Sequence, residues 1–348
     1  MKRRTWTVLM ALMILAVFAF VVTGCGGGGD GSKDQAGTAD KADKKVVIKF
    51  SHVVADKTPK GQAALKFKEL VEAKSNGTME VQVFPSSSLY GDKEELEALL
   101  TNNVQIIAPS VTKLVKYNPS FQIIDMPFLF ASDQAAYNWF KSEYGQKLLH
   151  SLEDKGMLGL AWWPNGAKHF INGKRPLKTP ADFANLKFRV QSGGLLVDQF
   201  EALGASAQPM PFAEVYQALQ NGTVDGTENT FNNIDTQKYA EVQKYLTVSA
   251  HGRLDYVVLT NTTFWNSLTD EQKKIIQEAM AEATEYATKL ADELNAKSFE
   301  TLKNSGKLEV YELTAEDKAK FEAALKPVYD KYVPIIGKEY IDSAKAAK

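Results

Sequence analysis

Cysteine is almost missing: Cys25 is the only one in 348 residues. That excludes a disulfide framework, a CxxC redox pair and a thiolate zinc cluster. Histidine is scarce too, and His52, His150, His169 and His251 are widely spaced. The chain has no GxSxG elbow, HExxH pair or P-loop, so neither an enzyme nor a cofactor or metal is expected. No sign of charge dominates, with 41 Lys+Arg against 42 Asp+Glu. Without a basic excess there is no electrostatic footprint for nucleic acid. After residue 25 no apolar run approaches a membrane span, roughly 17–25 residues.

Hydrophobicity is instead concentrated at the N-terminus. Lys2, Arg3 and Arg4 precede an almost unbroken apolar run from Trp6 to Val22, and Val22-Thr23-Gly24-Cys25 closes it. A cationic start, an apolar centre and a small-residue end form the layout of a secretory signal. The last four residues resemble a bacterial lipobox, in which Cys25 becomes the lipid-bearing first residue. Two or three acyl chains anchor stably where one is marginal. Residues 1–25 are therefore expected to be a lipoprotein signal, with the mature chain on the outer face of the cytoplasmic membrane. Residues 26–45 are mostly Gly, Asp, Lys, Ala and Ser with little that is apolar. They cannot offset their ordering entropy and read as a flexible tether. The remaining 46–348 is long enough for two lobes around a cleft. Once the three signal cations are removed, 38 basic groups face 42 acidic ones, a net of −4.

Val46 to Ser51 and Met79 to Phe84 alternate as strands do, with a helix from Thr58 or Pro59 to about Ala73 between them. Asn76-Gly77 turns the chain. A short helix is expected from Asp92, its cap, to Leu100, and a buried strand at Gln105 to Ala108. This alternation predicts α/β units and a parallel sheet. One helix is expected over Asp133 to Lys155, and neighbouring strands at Met157–Trp163 and Lys168–Asn172. Further strands are expected at Leu186–Gln191, Val224–Thr230 and Tyr256–Thr260. Helices are expected at Gly193–Leu203, Phe212–Gln220 and Asp270–Lys303, the last long enough to span both lobes. A final helix from Ala315 should stop near Lys331, before Pro334. Lobe 1 would hold about 46–165 and part of 255–300. Lobe 2 would hold about 166–254 and the C-terminal helices.

Three segments carry candidate chemistry. In Asn185-Leu-Lys-Phe-Arg-Val-Gln-Ser-Gly-Gly, period two sets Arg189 opposite Leu186, Phe188 and Val190. A guanidinium at a strand end, beside a helix N-terminus, suits a carboxylate; the plainer alternative is a surface ion pair. In Trp162-Trp-Pro-Asn-Gly-Ala-Lys-His-Phe, Lys168 is either a second cation or a solvated lysine. In the segment from Pro209 to Asn229, Asn229 can donate and accept toward a carboxylate or hydroxyl, or else satisfy loop backbone. Among the histidines, His52 and His251 are the better pocket candidates.

Together these segments are very similar to the solute-binding proteins of TRAP (tripartite ATP-independent periplasmic) transporters. Phe50-Ser-His-Val-Val-Ala-Asp-Lys-Thr-Pro-Lys-Gly, Asp125-Met-Pro-Phe-Leu-Phe and Tyr216-Gln-Ala-Leu-Gln-Asn-Gly-Thr-Val-Asp-Gly-Thr-Glu-Asn extend the match over nearly all of 46–348. The resemblance is closest to the branch that takes four-carbon dicarboxylates such as succinate, fumarate or malate. It implies an α/β, two-lobed clamshell like periplasmic binding proteins, with a long lobe-spanning C-terminal helix. It implies that Arg189 pairs with a ligand carboxylate, Asn229 hydrogen-bonds it and Phe212 packs on it. Lys168, or the loop around His52 and Lys60, would meet a second charge. The expected partners are the small and large TRAP membrane subunits, with the protein a monomer. Thr230 stands where dicarboxylate binders more often have proline, and Phe231 can reshape the pocket. Keto acids, sugar acids and a ligand-sensing role are the alternatives.

Overall fold

The computed structural model describes residues 45–348. The expected signal, Cys25 and the tether up to residue 44 lie outside the described residues. The strands are β1 (Val46–Ser51), β2 (Met79–Phe84), β3 (Ile106–Ile107), β4 (Met157–Asn172), β5 (Lys187–Val190), β6 (Ser206–Pro209), β7 (Gly226–Asn229), β8 (Tyr245–Asn261) and β9 (Glu309–Glu312). The helices are α1 (Pro59–Lys74), α2 (Glu95–Leu100), α3 (Asp133–Lys141), α4 (Glu143–Leu149), α5 (Leu195–Ala202), α6 (Val215–Gln220), α7 (Phe231–Thr236), α8 (Thr262–Ser267), α9 (Asp270–Lys303), α10 (Ala315–Ile336) and α11 (Lys338–Ala346). No described helix is long and apolar enough to cross a membrane.

Local chemistry sets many of these boundaries. Thr58 caps α1 through the Gly61 N–H at 3.2 Å, and Pro59 supplies a helical φ where no donor is needed. Gly61 is required there, since a Cβ would lie 2.5 Å from the Ala55 carbonyl oxygen. Thr269 and Gln272 form a capping box that opens α9. At 34 residues, α9 is about 50 Å long.

The sheet order is β2-β1-β3-β8-β4-β7-β5-β6, with β9 on β8. The pairs β1–β2, β1–β3, β5–β6, β5–β7 and β8–β9 are parallel. The central pairs β3–β8, β4–β8 and β4–β7 are antiparallel. The expected parallel pairing therefore holds towards the ends and between β8 and β9, but not through the middle, where two long strands run in opposite directions. These strands, β4 and β8, pass from one lobe to the other, and their register shifts between Pro164 and Gly166 and between Lys168 and Phe170. Gly166 has φ 122° and Ala250 φ 47° in the same stretch. One core packs α1 and α9 on the β1 end, around Phe50, Phe67, Trp163 and Met280. Another gathers Phe170, Phe183, Phe188, Phe200 and Phe321 under α5 and α10. The chain is thus a two-lobed mixed α/β protein with a long helix, α9, touching α1 in one lobe and α7 in the other.

Other expectations need correction: the short strand at Tyr256–Thr260 is only the end of β8, which starts at Tyr245. The single helix over Asp133–Lys155 is two, because Ser142 turns extended and caps α4. The two strands at 157–163 and 168–172 are one, since Pro164 and Gly166 are accommodated as irregularities inside β4. Pro334 does not end α10; Pro327 and Pro334 both sit inside it on the exposed face, where the freed carbonyls can bond water. Asp92 does not cap α2, which starts at Glu95 without a side-chain cap.

Candidate carboxylate site between the lobes

Arg189 lies on β5, flanked by β6 and β7. Phe188 and Val190 face the core, so period two turns Arg189 to the other side. It is 1% exposed. Its Nε and Nη2 donate to the Met210 carbonyl at 3.0 and 2.8 Å, whereas its Nη1 has no partner. Burial lowers its pKa, opposed by Tyr239, Asp92 and Glu228. A guanidinium stays charged regardless. One edge is thus locked to the backbone and the other is left as a cationic donor.

Beside it is a cavity of about 20 Å³, little more than one water fills. The segments after β1, β2 and β3 contribute Val53, Val54, Asp92, Ser110 and Lys113; β5 and the segments that follow it contribute Arg189, Gln191, Phe212 and Asn233. Leu254 and Tyr256 of β8 complete the lining. Cross-lobe bonds hold it shut. The Phe212 N–H donates to Asp92 at 2.6 Å, and the Lys113 ammonium donates to the Gln191 carbonyl at 2.8 Å. Lys93 pairs with Glu214 at 3.0 Å. The Gln122 side-chain oxygen accepts the Leu195 N–H at 3.2 Å. This last bond occupies the α5 N-terminus, which was expected to serve the anion.

Of the residues singled out from sequence, Arg189 and Phe212 line the cavity. Asn229 stands one bond behind it: its Oδ1 accepts from Asn233 at 2.9 Å, and its buried Nδ2 has no partner. His52 is buried against Phe50, and both its ring nitrogens lack partners. Burial, then the charge of Lys60, lowers its pKa to about 3, so it is neutral. Lys168 and His251 are not brought to the cavity. Lys168 pairs with Glu228 at 2.5 Å, and the other Glu228 oxygen meets His251 at 2.7 Å, all fully buried. Asp125 lies 4.0 Å from Lys168. Phe231 also points elsewhere, stacked between His169 at 3.8 Å and Phe299 at 4.6 Å. Sequence reasoning missed Lys113, Asn233 and Tyr239, whose buried hydroxyl lacks a partner and feels the charge of Arg189. For Asn233 spacing gave no signal: Asn229 ends β7 and Asn233 lies on α7, so the two amides meet across a strand-to-helix turn.

A larger opening of about 330 Å³ lies behind the strand crossing, lined in part by Phe128, Ala250 and Arg253. Its arginine is already paired with Asp255 at 2.9 Å and with Asp133.

Two lobes on crossing strands, closing over a free guanidinium edge, define a binding protein for a small anion. The model of bacterial extracellular solute-binding protein family 7 matches residues 50–334. The C4-dicarboxylate-binding periplasmic protein DctP of Rhodobacter capsulatus is 48% identical over 306 residues, 87% of this chain and 91% of its own. A TRAP periplasmic solute-binding protein from Shewanella oneidensis, solved with bound succinate, is 44% identical with a TM-score of 0.85, covering 86% of this chain and 98% of that one. One from Pseudomonas aeruginosa, solved with bound L-malate, is 40% identical with a TM-score of 0.80, covering 82% and 100%. The chain belongs to this family, the solute-binding proteins of TRAP transporters. The family is a substrate-binding transport component that works outside the cytoplasm with membrane subunits.

Proposed function

We propose that this protein captures a four-carbon dicarboxylate, succinate, fumarate or malate, and delivers it to TRAP membrane subunits without breaking a bond. The observation that carries the reading is the buried, unpartnered Nη1 of Arg189 at a cavity shut between the lobes. One ligand carboxylate would take that donor together with the Asn229 and Asn233 amides. The second would meet Lys113, with Lys60 behind it. Phe212 would pack on the carbon chain. Lys168, His251 and Phe231 are read as scaffold, since each already has a partner. The ligand names of the relatives point to the same chemistry.

The lobes are read as dividing near residues 165 and 254, where β4 and β8 are irregular. The protein is read as one copy, held to the membrane through a lipid on Cys25. Cys25 is the only cysteine and ends a lipobox-like run. Metabolic labelling with a palmitate analogue should mark the wild type and not Cys25→Ser; label surviving in the variant would refute the anchor.

Thermal unfolding with a ligand panel tests the dicarboxylate. Succinate, fumarate or malate should raise the melting temperature increasingly with concentration. Pyruvate, a keto acid and a sugar acid should raise it less. A larger shift with galactonate or pyruvate would replace the dicarboxylate by that class.

A further inference from the structure

Beneath the lobe 1 wall of the cavity lies a carboxylate that neither the fold nor the proposed ligand contacts explain. Glu95 is the first residue of α2 and is fully buried. Neither of its oxygens has a hydrogen-bond partner, and it forms no ion pair among the described residues. An ionised carboxylate left so is strongly disfavoured, because nothing replaces the water it has lost. Asp92, on the cavity wall, is one turn away, since the Glu95 N–H donates to the Gly91 carbonyl at 3.0 Å.

Its charged surroundings come from three elements. On its own segment are Asp92 and the exposed Glu94. From α1 comes Lys60, whose ammonium donates to the Ala108 carbonyl at 2.8 Å and lies 3.6 Å over the ring of Tyr256, a cavity residue. From the turn after β3 comes Lys113, 3.7 Å from Asp92. His52, facing Lys60, is neutral. In and just behind the cavity, then, the cations Arg189, Lys113 and Lys60 face the carboxylates of Asp92 and Glu95. With both carboxylates ionised the cluster holds one net positive charge, and a dianion would leave it negative. With Glu95 neutral it holds two, and a dianion balances it.

We propose that Glu95 is a specificity-determining residue that carries a proton in the ligand-bound protein, so that the closed cavity takes a dianion together with one proton. Burial and the nearby Asp92 push the Glu95 carboxyl up to about 8, against the pull of Lys60 and Lys113. Burial lowers Lys60 in turn. Near neutral pH the free protein is therefore already largely poised, and above it binding must draw the proton from solvent. This rests on the dicarboxylate reading above.

Calorimetric titration of the full chain with succinate, in phosphate and in Tris, measures the protons taken up from the difference in observed heats. Uptake by the wild type should rise from a small fraction at pH 7 towards one proton at pH 9. The affinity should fall up to tenfold per unit over the same range. Glu95→Gln should abolish the uptake and flatten that fall. In the wild type alone, the preference for succinate over butyrate should shrink as pH rises; in Glu95→Gln it should hold. No uptake by the wild type, or uptake unchanged in Glu95→Gln, would overturn the proposal, the second result assigning the proton to Lys60. No heat with any four-carbon dicarboxylate at pH 7 would instead overturn the dicarboxylate reading.

Discussion

A guanidinium with two donors fixed on a main-chain carbonyl and a third left free is pre-oriented for a carboxylate, because little side-chain entropy remains to be lost. That describes Arg189. Lys168 has the opposite environment, with its charge already answered by Glu228. Burial pushes the Glu228 carboxyl up, but Lys168 and His251 outweigh it and hold it below its usual range. A carboxyl with a lowered folded pKa stabilises above its unfolded pKa, about 4.3, and that contribution is lost as pH falls below it. Glu228→Gln should therefore cost ~3–5 kcal/mol at pH 7, and the deficit should shrink at pH 3, as urea unfolding at both values would show. Period two along the strand made the side of Arg189 readable. It said nothing of Lys168, because its partner is 60 positions away on another strand and only the β4–β7 register brings them together.

Among the elements, β1, β2 and α9 were legible, since alternation and a proline-free periodic run are local signals. β4 and β8 were not. Pro164 and Gly166 read as a turn, and only pairing with a distant strand overrides that reading. The same stretch carries an amide cluster. Asn295 of α9 accepts the Asn232 N–H at 3.0 Å and donates to the Asn165 carbonyl at 2.6 Å. Asn165 in turn donates to Thr230 at 2.9 Å. These bonds tie α9 and β4 to the start of α7, which presents Asn233 to the cavity. Asn295→Ala leaves buried groups unpaired. It should cost ~1–3 kcal/mol of stability and weaken succinate binding as α7 loosens, measured by urea unfolding and calorimetry on the same variant. Full stability with weakened binding, or the reverse, would separate the two roles.

For the molecule as a whole, the free space of about 20 Å³ cannot admit a four-carbon acid, so the lobes must part before a ligand enters. The bonds from Asp92, Lys93, Lys113 and Gln122 across the cleft are those that must break. Solution scattering should show a single-copy particle whose radius of gyration contracts when succinate is added; an unchanged radius would argue against a clamshell. The two-lobed architecture followed from chain length and from the resemblance carried by its motifs, whereas the cross-lobe contacts had no sequence signal at all. The most direct test of the central claim is calorimetric titration of succinate into the wild type and Arg189→Ala. The account predicts saturable one-to-one binding by the wild type, weakened about 30-fold or more in the variant, equivalent to ~2 kcal/mol. Equal affinity in the two proteins would contradict it.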